Sequence, residues 1–162
     1  MSVTVRAALS PAEVQAVREL FEEYWTAFGF TPCFQNFSSE VEGLPGAYAP
    51  PGGRLGLAWV DGQVAGCIAL RPKGAGRGEA KRLYVRPQYR GCGVGRALME
   101  WMIGESRDIG YGEIVGDTLP VMANALTMYE AMGFERMSPD PDGPPDAIYI
   151  RLDLSTCQLA RR

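Results

Sequence analysis

The chain contains no histidine, and this absence excludes several kinds of chemistry. Ser/His/Asp and Cys/His nucleophile systems need an imidazole, and most zinc sites use at least one. Any general acid or base must therefore be Asp, Glu, Tyr, Lys, Cys or a bound water. We accordingly predict an enzyme or binding domain without a metal centre.

Cysteine, long apolar runs and net charge are also scarce. Cys33, Cys67, Cys92 and Cys157 lie far apart and form no Cys-x-x-Cys pair, which predicts free thiols in a reducing compartment. No apolar run reaches membrane-spanning length, and the first residues lack a signal-peptide pattern. The net charge is −3, and the positive charges are scattered, which argues against a nucleic-acid partner. We therefore expect a cytoplasmic protein that has neither a membrane nor a nucleic-acid partner.

The remaining composition fits one folded unit, because 162 residues that are 46% hydrophobic can form a core of useful size. A helix is predicted from Ser10 to about Gly29, and a short one over residues 38–42 is the best interpretation of that stretch. Two further helices are predicted after the glycines at 91–95 and from Pro120. Strands are predicted at 3–9, 54–60, 63–71, 79–85, 111–118, 134–137 and 147–154, with a flexible loop at 74–78. This order predicts one α/β (α+β) domain over residues 1–162, with a mixed sheet of six to seven strands flanked by about four helices.

The segment from Val85 to Trp101 carries the strongest functional signal. Pro87 ends a strand, glycines follow at positions 91, 93 and 95, and the apolar residues from Val94 onward take helical spacing. Glycines leave backbone N–H groups free to converge, and the start of a helix adds partial positive charge. The segment therefore predicts a phosphate-binding loop.

The spacing of the glycines and the residues that follow them distinguishes between kinds of phosphate-binding loop. A P-loop needs Lys and Ser or Thr after its last glycine, whereas Arg96 and Ala97 follow Gly95. A dinucleotide fingerprint needs a third glycine where Arg96 stands, which argues against a pyridine-nucleotide binder. Arg90-x-x-Gly93-x-Gly95, after a strand ending in Leu-Tyr-Val, instead resembles motif A of the GNAT family of N-acetyltransferases.

A second motif strengthens this resemblance. The run from Ala125 through Met128, Tyr129 and Glu130 to Gly133 and Phe134 is similar to motif B of the same family. The resemblance implies that the loop holds the pyrophosphate of acetyl-coenzyme A and that the preceding strand binds the pantetheine arm. The cofactor-binding residues it implies are Leu83, Tyr84, Val85, Arg90, Gly91, Cys92, Gly93, Val94, Gly95 and Arg96. Cys92 has a second interpretation, as a small side chain that points away from the ligand.

The resemblance also implies direct transfer of an acetyl group to a primary amine of a small molecule or peptide. Tyr129 matches the family's general acid, which gives a proton to the departing thiolate. Glu79 is the first candidate for the base that deprotonates the amine, and Asp117 is its competitor; either can instead be an ordinary strand-end carboxylate. Motif B commonly has an asparagine where this chain has Met122, so one cofactor contact is in question.

The acceptor side is less defined. If the segment after the first helix shapes the acceptor pocket, Phe34, Phe37, Glu40 and Glu42 are candidate contacts, with core aromatics and surface carboxylates as the alternative. Asp140 and Asp142 would favour a cationic amine.

The chain is also compatible with a coenzyme A-binding regulatory or sensor domain that has no turnover. Within the enzyme interpretation, a covalent route through an acetyl-cysteine competes with direct transfer. A homodimer formed through a strand edge is compatible with the chain as well. The similarity extends to a bacterial branch of the family but brings no substrate.

Overall fold

The computed structural model describes residues 2–29, 37–118, 123–141, 143 and 146–155, within which the chain forms seven strands and four α-helices. The strands are β1 (Val3–Ala7), β2 (Arg54–Val60), β3 (Gln63–Gly74), β4 (Arg77–Val85), β5 (Glu113–Thr118), β6 (Glu135–Arg136) and β7 (Ile148–Asp153). The helices are α1 (Pro11–Ala27), α2 (Phe37–Glu42), α3 (Val94–Ile109) and α4 (Ala123–Ala131). The predicted fold class is confirmed.

All strands join one sheet in the order β1-β2-β3-β4-β5-β7-β6, in which β4 and β5 are parallel and the other neighbours antiparallel. The prediction of a flexible loop at 74–78 is wrong. β3 runs to Gly74 and β4 starts at Arg77, so Ala75 and Gly76 alone connect them, with φ of 56° and 73°. Positive φ at both central residues is the geometry of a tight hairpin turn, which lengthens both strands.

Strand β4 continues beyond its parallel partner. Register pairs join residues 77–80 to residues 113–116, and no further β5 pairing follows among the described residues although β4 runs on to Val85. The antiparallel register with β3 also shifts here, because two β4 residues lie opposite one β3 residue and Arg82 has a φ of 61°. This β-bulge bends the strand beside the gap between β4 and β5.

The sheet separates two hydrophobic cores. Helix α1 begins with a capping box in which the Ser10 side chain accepts from the Glu13 backbone and the Glu13 side chain accepts from the Ser10 backbone. It packs Val17, Leu20 and Phe21 on one face of the sheet, and α3 and α4 cover the other with Leu98, Met102 and Leu126. Within the described ranges, none of the helices combines the length and apolarity needed to cross a bilayer.

Candidate active site

The glycine segment forms a loop that leads into the N-terminus of α3. Gly91 and Gly93 have φ of 80° and 82°, a left-handed conformation that other residues adopt at a cost, and Gly93 is the N-cap residue. In the described part of the chain, the backbone amides of residues 91–96 donate no hydrogen bond to a backbone carbonyl. Free amides at a helix N-terminus form an anion-binding site.

A cavity of about 620 Å³, here named the loop cavity, runs from this loop into the gap between β4 and β5. Nine of the ten predicted cofactor-binding residues line it, namely Leu83, Tyr84, Val85, Arg90, Gly91, Gly93, Val94, Gly95 and Arg96. Cys92 does not; its side chain packs against the core on the α3 side of the sheet. Arg90 Nε donates to the Val85 carbonyl oxygen at 3.1 Å, so this arginine ties the loop to the end of β4.

Thr118, the last residue of β5, borders the loop cavity with an unsatisfied hydroxyl group. Its side-chain oxygen is buried and has no hydrogen-bond partner among the described residues. A buried hydroxyl without a partner costs about 1–3 kcal/mol. The cavity therefore offers free amides at one end and an unpaired hydroxyl in the gap, a donor set that fits a phosphorylated molecule with a polar arm such as coenzyme A.

Tyr129 reaches the same cavity from α4 and packs its ring against Phe134, with centroids 5.8 Å apart. Burial raises the pKa of Tyr129 above its ordinary value of 10.0, and the neighbouring Tyr24 and Asp117 act in the same direction. The hydroxyl group therefore keeps its proton at neutral pH.

A second cavity of about 510 Å³, here named the charged cavity, lies beside the first. Its charged lining residues are Glu40, Glu79, Asp117, Asp140, Arg71, Lys73, Lys81 and Arg82. Lys81, Arg82 and Asp117 line both cavities, so the two meet at these residues. This arrangement places a polar junction at the end of the loop cavity.

The two predicted base candidates occupy different positions. Glu79 accepts a hydrogen bond from Arg71 Nε at 2.7 Å and lies 3.7 Å from Lys73 Nζ. It borders the charged cavity but not the loop cavity. Asp117 stands at the junction, 3.3 Å from Lys81 Nζ. Burial lowers the pKa of Lys81, although the charge of Asp117 opposes that change. Within the described residues no group of three or more His, Cys, Asp or Glu side chains is arranged to hold a metal ion.

Among the predicted acceptor contacts, Glu40 borders the charged cavity and is held by a buried arginine. Arg82 Nε and Nη2 donate to the two carboxylate oxygens of Glu40 at 2.9 and 3.2 Å, and the Arg82 guanidinium lies 4.1 Å from the Phe37 ring centroid. Phe37 is fully buried and Glu42 is exposed, and neither borders the loop cavity or the charged cavity. Phe34, Met122 and Asp142 lie outside the described residues.

Sequence reasoning missed several residues that line the two cavities. Tyr24 reads as core on the apolar stripe of α1, yet it lines the loop cavity, and burial raises its pKa to about 12. Arg82 lies at the bulge in β4, and no sequence pattern predicts that bulge. Arg71 and Lys73 on β3 and Glu79 and Lys81 on β4 were detectable, because charges at alternate strand positions share a face.

The fold is that of an acetyltransferase domain. The chain superposes on a GNAT-family acetyltransferase of Staphylococcus aureus with a TM-score of 0.80 and 17% identity, over 94% of this chain and 99% of that chain. It superposes on the PaiA N-acetyltransferase of Thermoplasma acidophilum, solved in complex with coenzyme A, with a TM-score of 0.73 and 20% identity, over 94% and 99% of the two chains.

Sequence similarity gives the family. A family model described as an acetyltransferase (GNAT) domain matches residues 51–136. The chain is 34% identical to an uncharacterised N-acetyltransferase of Schizosaccharomyces pombe, over 95% of this chain and 96% of that protein. The protein therefore belongs to the GNAT family of acetyltransferases, as the two motifs predicted.

Proposed function

We propose that the protein transfers the acetyl group of acetyl-coenzyme A directly to a primary amine of a small molecule or peptide. The observation that carries this proposal is the meeting of two cavities at Lys81, Arg82 and Asp117, one with an anion-binding loop and the other lined by charged side chains. A donor and an acceptor bound in separate cavities can react only where those cavities join.

The loop cavity supplies the groups that would hold the cofactor. The amides of residues 91–96 bind the pyrophosphate, supported by the positive end of α3. The unpaired backbone edge of β4 beyond Ala80 and the Thr118 hydroxyl group bind the polar arm. When bound, acetyl-coenzyme A supplies an acetyl group activated as a thioester.

Two side chains move protons, Asp117 at the junction and Tyr129 in the loop cavity. Asp117 accepts the proton that the incoming ammonium must lose, directly or through a water, because it is the carboxylate that borders both cavities. Tyr129 keeps its proton at neutral pH and donates it, or a hydrogen bond, toward the departing sulfur. Glu79 is bound to Arg71 and remains the competing base.

Direct transfer is favoured over a covalent acetyl-cysteine route. Of the two cysteines in the described residues, neither lines the loop cavity or the charged cavity. Burial raises the pKa of the Cys67 thiol, which reduces the thiolate available as a nucleophile. Ping-pong kinetics would contradict this part of the proposal.

Titration calorimetry with acetyl-coenzyme A, followed by thiol release against a panel of amines, tests the proposal. We expect saturable binding and release that depends on the acceptor. Binding without release by any amine would favour the alternative, a coenzyme A-binding regulatory domain. Failure to bind acetyl-coenzyme A would overturn the assignment of the loop.

A further inference from the structure

Arg71 lines the charged cavity with only part of its guanidinium in use. Its Nε donates to Glu79 Oε1 at 2.7 Å, and its terminal nitrogens donate no hydrogen bond within the described part of the chain. Arg82, in contrast, uses both Nε and Nη2 on Glu40. The Arg71 side chain is 34% exposed and lines the charged cavity.

The charges around Arg71 alternate in sign. Arg71 and Lys73 lie beside the same Glu79 carboxylate, at 2.7 and 3.7 Å, and Lys73 Nζ also lies 3.1 Å from Asp140. Asp140 therefore shares its charge with a lysine, and the cavity lining combines four carboxylates with four cationic side chains. At the junction, the carboxylate of Asp117 faces Lys81. A cavity lined by both positive and negative side chains suits a molecule that carries both signs of charge.

We propose that the acceptor is an amine that also carries a carboxylate, which the terminal nitrogens of Arg71 bind while Asp117 holds the amine. The proposal rests on the proposed function, since it names the acceptor class for that site. A guanidinium fork matches the two oxygens of a carboxylate and pairs with them in parallel hydrogen bonds. Lys73 adds a second positive charge beside it.

The sheet register sets the span between the two groups. Arg71 pairs with Glu79, Glu79 pairs with Val115, and Asp117 follows two residues along β5. Two strand spacings across and two residues along place the Cα atoms of Arg71 and Asp117 about 12 Å apart. Arg71 Nε reaches Glu79 of β4, and Asp117 lies beside Lys81 of the same strand, so both side chains contact the strand between them. We therefore expect a short amino acid to fit between their charged ends.

Matched acceptor pairs test the proposal in the thiol-release assay. Each pair is an amino acid and its carboxamide: γ-aminobutyrate, phenylalanine and lysine with their amides. We expect kcat/KM at least about 10-fold higher for the best acid than for its amide, the size of one charge-assisted bidentate contact. An α-carboxamide makes the neighbouring amine easier to deprotonate, so for the α-amino acids the comparison is biased against this result.

Variants of Arg71 locate the contact. Arg71→Gln should raise KM for the acid about 10-fold and leave KM for its amide and for acetyl-coenzyme A unchanged. Arg71→Lys keeps a positive charge beside Glu79 but lacks the guanidinium fork. Its KM for the acid should therefore lie between the values of the wild-type protein and of Arg71→Gln. Arg77→Gln is the matched control, because Arg77 lies at the start of β4, donates to the Gly74 carbonyl and borders neither cavity.

The outcomes separate this inference from the proposed function. Equal rates for acids and amides, best rates with simple amines, or equal losses for both acceptor forms in Arg71→Gln would overturn the inference alone. Binding of acetyl-coenzyme A without thiol release for any acceptor, the wider amine panel included, would overturn the proposed function and this inference with it.

Discussion

Tyr129 is a protonated phenol that is half-buried and lines the loop cavity. Tyr129→Phe removes only the hydroxyl group, so we expect kcat to fall on the order of 100-fold while acetyl-coenzyme A binding stays nearly unchanged. Because burial raises its pKa, loss of its proton should not lower activity below about pH 10, near the ordinary tyrosine pKa. Thiol-release rates across pH and calorimetry of the variant check both statements.

Tyr149→Phe is the control for Tyr129, since Tyr149 lines the charged cavity only. An equal loss of kcat in both variants would mean that the effect of Tyr129→Phe is not specific to its position.

Asp117 and Glu79 can be compared by isosteric changes. Each carboxylate lies beside a cation, so Asp117→Asn and Glu79→Gln remove the same charge in similar surroundings. We expect Asp117→Asn to lower kcat on the order of 100-fold and Glu79→Gln to have a smaller effect, measured by thiol release at saturating substrate. A larger loss in Glu79→Gln would restore Glu79 as the base.

At the residue scale, the sequence predicted the positions of those residues that local chain geometry determines. The loop glycines and Tyr129 belong to motifs whose spacing fixes their placement along a strand, a turn and a helix. Tyr24, Thr118 and Arg82 acquire their positions only when distant elements pack together, so no local pattern marks them. The roles proposed for Tyr129, Glu79 and Asp117 stay predictions.

The carboxylate of Glu13 is part of the N-terminal capping box of helix α1. Two backbone N–H groups, of Ser10 and Leu9, and the side chain of Arg6 donate to Glu13 and lower its pKa from 4.5 to about 2. A pKa that is depressed in the folded state contributes stability above the unfolded value, and this contribution is lost as pH falls through the folded value. Glu13→Gln should therefore cost about 1 kcal/mol at neutral pH, the size of a solvated cap.

The difference in free energy of unfolding between the wild-type protein and Glu13→Gln should shrink from pH 4.5 toward pH 2. Urea denaturation at several pH values measures it. Glu22→Gln, on the exposed side of the same helix, should show no such trend. A difference that is constant with pH would contradict the cap assignment.

The glycine loop allows a similar comparison. A Cβ at Gly93 or Gly112 would meet no atom within 4 Å, but only Gly93 has a positive φ. Gly93→Ala should therefore lower the free energy of unfolding by about 1 kcal/mol and weaken acetyl-coenzyme A binding, whereas Gly112→Ala should change both little. Denaturation and calorimetry of the two variants give the answer, and equal effects would count against the left-handed turn as the cause.

At the element scale, caps and hairpin turns were predictable because their residues are adjacent in sequence. The start of α1 and the turn at Asp61 and Gly62 follow from such signals. The hairpin at residues 74–77 was missed because the glycine-rich segment reads as flexible, while cross-strand pairs such as Arg71 with Glu79 extend the ladder into it.

The Arg82–Glu40 pair joins two parts of the molecule, since it links the bulge in β4 to α2. Both side chains are nearly buried, at 3% and 12% exposure. Glu40→Gln or Arg82→Met alone would leave a buried charge without its partner and should cost about 3 kcal/mol. The double variant should be less destabilised than the sum of the two, as measured by urea unfolding.

The exposed pair Arg96–Glu100, four residues apart on α3, is the control for that cycle. Its coupling energy should stay below about 0.5 kcal/mol. Similar coupling in both cycles would show that burial does not decide the strength of the Arg82 pair.

The whole-molecule architecture was predictable as a class, because the order of strands and helices and the position of the loop restrict the fold. The two cavities were not, since they depend on where the pairing of β4 with β5 ends and where β4 bulges. Cytoplasmic location, the lack of a nucleic-acid or membrane partner, the lack of a metal and homodimer formation stay predictions, as does a single domain over residues 1–162.

The bulge at Arg82 shifts the alternation of β4 side chains between the two faces of the sheet. This shift affects how the substrate preference of the protein can evolve. Before it, Glu79 lines only the charged cavity and Lys81 lines both cavities, and after it Leu83 and Val85 line only the loop cavity. One strand thus contributes to both cavities: a first set of positions, which includes Glu79, borders only the charged cavity, and a second set, which includes Leu83 and Val85, borders only the loop cavity. Under the proposed function, mutations in the first set can retune acceptor preference while the second set, and with it the donor, is inherited intact. Specificity can then evolve stepwise in descendants of this chain without a loss of the shared chemistry.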